Sequence, residues 1–292
     1  MKISYFRHQT INSAPVPSNS LLNRVAKVFI IANKEPTEQL EAALQKEGFD
    51  YQVLRQEPLP NLEQYSRSYL CLMNHRRAWE EAQNQTKLTL IIEADFVPVT
   101  CMGQLPLPFN PEHSDVGVSW IYTCASQVYS VDCEGYAQGF SVSTVAYIIT
   151  PQAATCLLEL ATEIKQKYGT DQYSSWDSTI DKFLRQRNLK NYIPWRNYGE
   201  HGGIPNPEHR QNNLSSSHRA DVLYGKLAFM PIYALDKNQG KLELMKVRLK
   251  ARLKGIARLL SARFLRIKVI QGSNVPGRLI RFAVFRQLSW LL

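Results

Sequence analysis

Leu88–Phe96 reads LTLIIEADF, an apolar run closed by two acids, Glu93 and Asp95. A short apolar run of this kind suits a buried β-strand. Ligands of open α/β sheets bind outside the carboxyl ends of the strands, so acids at this end are placed for chemistry. Side chains alternate along a strand, and acid-x-acid therefore predicts two carboxylates on one side. Such carboxylates can hold a divalent cation, which neutralises the charge on a departing phosphate group.

Upstream, Ser66–Gln83 has Leu70, Met73, Arg77 and Ala78 at helical spacing and carries Asn74, His75 and Trp79. His75 and Trp79 are four residues apart and share a helix face, facing either the core or the pocket at the strand's end. Further upstream, Val25–Ala32 (VAKVFIIA) reads as a buried strand, Pro36 opens a helix ending near Gly48, and Tyr51–Arg55 reads as a second strand. This β-α-β rhythm predicts a parallel sheet covered by helices, a Rossmann-like α/β fold. Downstream, Asp115–Thr123 and Val142–Thr150 are further strands, and Pro151 opens the helix Gln152–Lys167.

Trp176–Arg187 reads as a helix beginning WDSTID. Asp177 either caps it or acts as a general base, and Asp181, one turn on, faces the same way. Ile193–Arg210 is rich in Pro and Gly and reads as an ordered loop. Within it, GEHGGIPNPEH (Gly199–His209) offers glycines for close backbone approach to phosphates, and His201 and His209 as metal ligands. A rigid turn with locally bonded histidines is the alternative.

The chain has 292 residues, with 35 basic, 25 acidic and a net charge of +10. The excess is local. Residues 241–292 hold 13 Lys/Arg and one acid, Glu243, which leaves 22 basic and 24 acidic residues in the first 240. Three parts follow: a polar arm (1–24), an α/β body (25–240) and a basic amphipathic helical tail (241–292). Its bulky aliphatics among lysines and arginines predict docking on an anionic membrane surface. Nucleic acid is the competing partner, and is disfavoured because the tail mixes its charges with large apolar side chains. Five cysteines without a C-x-x-C pair, no apolar leader and no run long enough to span a bilayer predict a cytoplasmic protein held peripherally at the inner membrane face.

In this order, several segments resemble glycosyltransferase family 25, the lipopolysaccharide and lipooligosaccharide biosynthesis transferases. SYLCLMNHRRAW is similar to that family's cysteine-containing helix ending Ser-His-x-x-x-Trp, with Asn74 at the serine position. LTLIIEADF is similar to its strand ending Glu-Asp-Asp, with Ala94 at the middle acid. VSTVAYIITPQAATCLL and WDSTIDKFL are similar to its Tyr-Ile-Ser-Pro-x-Ala-Ala segment and the following Asp-containing helix. The resemblance covers about 25–210. It implies a GT-A-type nucleotide-sugar-binding fold with helices on both faces of the sheet. It also implies an inverting transfer, often of galactose, from a UDP-type sugar nucleotide to a glycan or lipid-linked glycan acceptor, with Mn²⁺ (or Mg²⁺) bound. Carried onto this chain, Asp95, Glu93, His201 and His209 would serve the metal. Asn74, His75, Trp79, Glu93, Tyr147 and Trp176 would line the substrate site, with Asp177, Asp181 or Glu200 as base. The alanine at 94, and NKEPTEQ where the family has an Arg-rich stretch, leave open a transferase-like binding protein without catalysis.

Overall fold

The computed structural model describes residues 17–204, 218–235 and 239–289. In chain order it places α1 (Leu21–Arg24), β1 (Val25–Ala32), α2 (Glu38–Glu47), β2 (Tyr51–Arg55), α3 (Arg67–Ala82), β3 (Leu88–Glu93) and β4 (Phe96–Pro98). Next come β5 (Val116–Trp120), β6 (Gln127–Val131), β7 (Ala137–Phe140), β8 (Ala146–Ile149), α4 (Pro151–Tyr168), α5 (Ile180–Arg185), β9 (Lys190–Ile193) and β10 (Gly199–His201). Three helices close the chain: α6 (Gly240–Leu260), α7 (Ile267–Gln271) and α8 (Pro276–Leu288).

The helix ends follow local chemistry. The Ser66 hydroxyl accepts from the Tyr69 amide to cap α3, and the Thr150 hydroxyl accepts from the Ala153 amide just before Pro151 opens α4. Gly48 ends α2 in the left-handed region (φ 86°), where a side chain would be strained.

Eight strands form one sheet in the order β2-β1-β3-β8-β5-β9-β7-β6. β2-β1-β3 and β5-β9 pair in parallel, and the remaining neighbours are antiparallel. The wholly parallel sheet expected from the first β-α-β unit therefore holds only for that unit and one later pair. The reason is that no helix separates β5, β6, β7 and β8, and without a crossover helix consecutive strands meet antiparallel. The β6-β7 hairpin turns at Gly135 (φ 98°), where the Asp132 carboxylate accepts from the amides of residues 134–136.

Helices cover both faces of the sheet. On one face Phe29, Ile31 and Ile91 pack against α3, α4 and α5. On the other Val28, Ile30, Leu90 and Ile92 pack against α1, α2 and the segments around Phe109, Tyr122 and Tyr198. The alternation along β1 and β3 assigns these residues to opposite faces. Residues 241–289 are part of this packing. Phe264, Leu265, Leu279, Phe282 and Ala283 join the α3–α5 side of the core, and Arg286 is fully buried. No helix among the described residues is long and apolar enough to cross a membrane.

Candidate active site at the end of the central strand

β3 stops at Glu93, and that fact shapes the site. Ala94 and Asp95 form a turn before β4, with the Ala94 amide donating to the Ile31 carbonyl (2.8 Å). The strand's two-residue period ends there, so the two acids do not share a side as the strand reading expects. Glu93 faces α3 and Asp95 faces β10. Each acid has its own neighbourhood.

Around Glu93, the Thr144 hydroxyl donates to Oε1 (2.9 Å), and His75 Nε2 lies 3.4 Å from the same oxygen. Nε2 of the fully buried His75 has no hydrogen-bond partner, while Nδ1 meets the Tyr147 hydroxyl at 2.8 Å. The Trp79 indole also donates to that hydroxyl (2.8 Å), and the Trp176 ring sits 5.3 Å from His75. His75, Trp79, Tyr147 and Trp176 thus form one sealed aromatic wall, and they reach the site through Glu93 rather than by lining open space. Asn74 ties α3 to β1 by donating to the Ala32 carbonyl (3.2 Å).

Cys71 is one helical turn before His75. Its sulfur, a His75 ring nitrogen and a Glu93 oxygen lie within 4.8 Å of one another, a mixed S/N/O group able to hold a cation. Burial, and then the Glu93 and Asp177 charges, push the Cys71 thiol well above its usual range. Asp177 sits in a 3₁₀ turn (Trp176–Thr179) and accepts from the Ser178 amide (2.8 Å). Burial lifts its pKa to about 7, and the Glu93 charge adds to the shift.

Around Asp95, antiparallel pairing of β4 with β10 puts His201 opposite Phe96. His201 Nε2 then meets Asp95 Oδ2 at 2.9 Å, and the Gly202 amide donates to the Asp95 carbonyl (2.7 Å). A Cβ at 203 would lie 2.1 Å from Asp95 Oδ2, so a side chain there would displace this carboxylate. Gly203, read from sequence as a way for backbone to approach phosphates, instead makes room for this carboxylate. Asp95 Oδ1 and His201 Nδ1 are buried without partners. Burial opposes ionisation of Asp95, but the His201 imidazole outweighs it and the pKa falls; the same pairing raises His201. Arg219 braces the loop, donating to the carbonyls of His201 (2.7 Å) and Gly203 (2.9 Å) above the Tyr233 ring.

Asp95 and Ala94 open onto a pocket of about 210 Å³. Its walls are the entry to α2 (Pro36, Glu38) and an apolar rim including Phe229 and Ile232. Arg219 and this rim escaped sequence reading, since 218–235 has no regular period to mark it.

The other two candidate bases lie elsewhere. Asp181 is buried and accepts from Asn191 Nδ2 (2.9 Å), the Tyr129 hydroxyl (3.1 Å) and Arg185 Nε (3.0 Å). It points toward β9 and β6, away from Asp177's neighbours. Glu200 is fully buried; Oε1 accepts from the amides of Ala220 (2.8 Å) and His201 (3.0 Å), and Oε2 pairs with Arg248 (2.7 Å). With its oxygens occupied, Glu200 fixes β10 to α6. His209 lies outside the described residues.

No protein-family model matches the chain, and no curated protein matches it. Solved structures similar to it include two glycosyltransferases. One is a glycosyltransferase involved in the glycosylation of the major capsid of PBCV-1 (11% identity, TM-score 0.38, covering 57% of this chain and 80% of that one). The other is a mutant Drosophila β-1,4-galactosyltransferase 7 in complex with manganese, UDP-Gal and xylobiose (15% identity, TM-score 0.35, 64% of this chain and 74% of that one).

Proposed function

We propose that this protein is a glycosyltransferase of GT-A type, akin to family 25, that transfers a sugar from a nucleotide-sugar donor to a glycan acceptor. The observation that carries this reading is the pair of acidic centres at the carboxyl end of β3. One opens onto a pocket with an unpartnered carboxylate oxygen, and the other holds a carboxyl group tuned to about 7.

Asp95 Oδ1, already desolvated and lacking a donor, suits a divalent cation, while His201 Nε2 holds the other oxygen, Oδ2, in place. A carboxylate oxygen of this kind accepts Mn²⁺ or Mg²⁺. Such an ion supplies charge neutralisation for a nucleoside diphosphate leaving group. Asp177 is the base this geometry favours, because Asp181 and Glu200 spend their oxygens on structural partners. Its carboxylate takes the proton of the acceptor hydroxyl as that oxygen bonds to the anomeric carbon and the nucleotide departs with the bonding pair. Glu93, held by Thr144, keeps Asp177 in a negative field and so keeps it basic. UDP and galactose are the donor components we favour, on the resemblance of the SYLCLMNHRRAW, LTLIIEADF and WDSTIDKFL segments.

The test is donor turnover. Release of UDP from UDP-galactose in the presence of Mn²⁺ should fall at least about 10²-fold in Asp95→Asn, with the circular dichroism spectrum and melting temperature kept. Turnover in Asp95→Asn equal to the parent would remove Asp95 from the metal site.

A further inference from the structure

The sequence marks 241–292 as basic and apolar without saying which residues face the body. The structure sorts them by residue type. Along α6 the arginines turn inward. Arg248 pairs with Glu200 and donates to the Ala220 carbonyl (2.6 Å), Arg252 donates to the Ser289 carbonyl (2.8 Å), and Arg258 donates to the Ser126 carbonyl (3.0 Å). The lysines of the same helix, Lys241, Lys246, Lys250 and Lys254, are all exposed. The division suits their chemistry, since a planar guanidinium fixes several acceptors whereas an ammonium on a flexible stem stays hydrated.

The helix sits close on the body. A Cβ at Gly255 would fall 2.7 Å from Gln287 Oε1 and 2.8 Å from Asp221 Cβ, so only glycine allows this approach. The side turned away from that seat carries Leu242, Met245, Leu249, Leu253 and Leu260, each between 49% and 81% exposed. Their spacing keeps them on one stripe, and at a rise of about 1.5 Å per residue it runs about 27 Å. Lys246, Lys250 and Lys254 follow it along one edge.

We propose that this face of α6 docks in the interface of an anionic lipid bilayer. The stripe supplies what enters the headgroup region, and the lysine edge supplies the attraction. Exposed Arg263, Arg266 and Lys268 extend the positive field beyond the helix, and Glu243 is the single acid in 241–292. A second copy docked on the same face would bring two patches of like charge together, because a two-fold contact places a patch on itself. A nucleic acid would satisfy the lysines and leave five large apolar side chains in water. An anionic membrane satisfies both. This inference is independent of the proposed chemistry at Asp95 and Asp177.

Cosedimentation of the full chain with phosphatidylglycerol/phosphatidylcholine vesicles, and with phosphatidylcholine alone, tests it. Binding to the anionic vesicles should exceed binding to the neutral ones at least about tenfold and weaken as salt rises. Leu249→Glu/Leu253→Glu should lose at least about tenfold in vesicle affinity with an unchanged melting temperature and unchanged donor binding. Lys246→Gln/Lys250→Gln/Lys254→Gln should lower affinity and flatten the salt dependence. Failure of the parent to bind anionic vesicles would overturn the proposal, as would vesicle binding by the Leu249/Leu253 variant equal to the parent's. So would a dimer in light scattering that the Leu249/Leu253 variant dissolves without any vesicle binding.

Discussion

Asp177 shows how much a carboxyl group owes to its surroundings. At a helix entry in water it would be ionised well below neutrality, but burial and the Glu93 charge bring it to about 7. The sign follows from the direction of the shift. The charged form is the one burial disfavours, so the basic carboxylate grows in as pH rises through about 7. Acceptor turnover should therefore climb roughly tenfold per unit well below that value and level off above it. Asp177→Asn should be slower by about 10²–10⁴ and lose the dependence. A parent profile that is flat between about pH 5.5 and 8.5 would remove Asp177 from the role of base. From sequence, Glu93, Asp95, His75 and His201 stood out as candidate site residues. Their grouping was not. The period-two rule holds only while the strand lasts, and nothing within LTLIIEADF announces that the ladder stops at Glu93. Nor does GEHGG reveal that its last glycine leaves space for a carboxylate more than a hundred residues earlier.

At the scale of elements, Asp221 is the point that fastens the C-terminal helices to the body. It accepts from Arg286 Nη1 (2.5 Å) and Nη2 (3.0 Å), from Gln287 Nε2 (2.6 Å) and from Asn197 Nδ2 (3.0 Å). Burial alone would raise this carboxyl, but Arg286 and then Gln287 dominate and hold it down at about 2. The stabilisation is therefore present above the ordinary aspartate range and is lost as pH falls toward about 2. Arg286→Ala leaves a largely buried carboxylate without its counter-charge and should cost about 3–5 kcal/mol in denaturant unfolding near neutral pH. The deficit should shrink in acid. A loss below about 1 kcal/mol would show that α8 is not fastened through Asp221. Elements with a clean period were legible: β1, β2, α2, α3 and α4 stand within a residue or two of their expected spans. β6, β7 and β9 were not. β9 carries Asn191, whose buried amide donates to Asp181 and whose oxygen accepts from the Val118 amide, so a polar residue occupies a core position there. β10 hides in a Pro/Gly-rich stretch because its pairing with β4 is specified by residues far away in the chain.

For the whole molecule, the α/β class was readable from the β-α-β rhythm of apolar runs and helical stretches, helices on both faces were implied by the family resemblance, and the charge imbalance of 241–292 was plain in the composition. That this stretch would be seated in the core could not be read. Its anchors, Glu200, Asp221 and the Ser126 carbonyl, lie between 48 and 132 residues from the arginines that meet them. The same seating connects the parts. α6 holds Glu200 of β10, and the neighbouring His201 meets Asp95 at the pocket mouth. We propose that this pocket takes a nucleotide sugar together with a divalent cation. Calorimetric titration of the full chain with UDP-galactose, with and without Mn²⁺, tests it directly, with UDP, UDP-glucose and a chelator as controls. The expected result is saturable heat with UDP-galactose that requires Mn²⁺, disappears with chelator and is missing in Asp95→Asn. Heat unaffected by Mn²⁺ and by Asp95→Asn, or no heat with any of these UDP ligands, would contradict it.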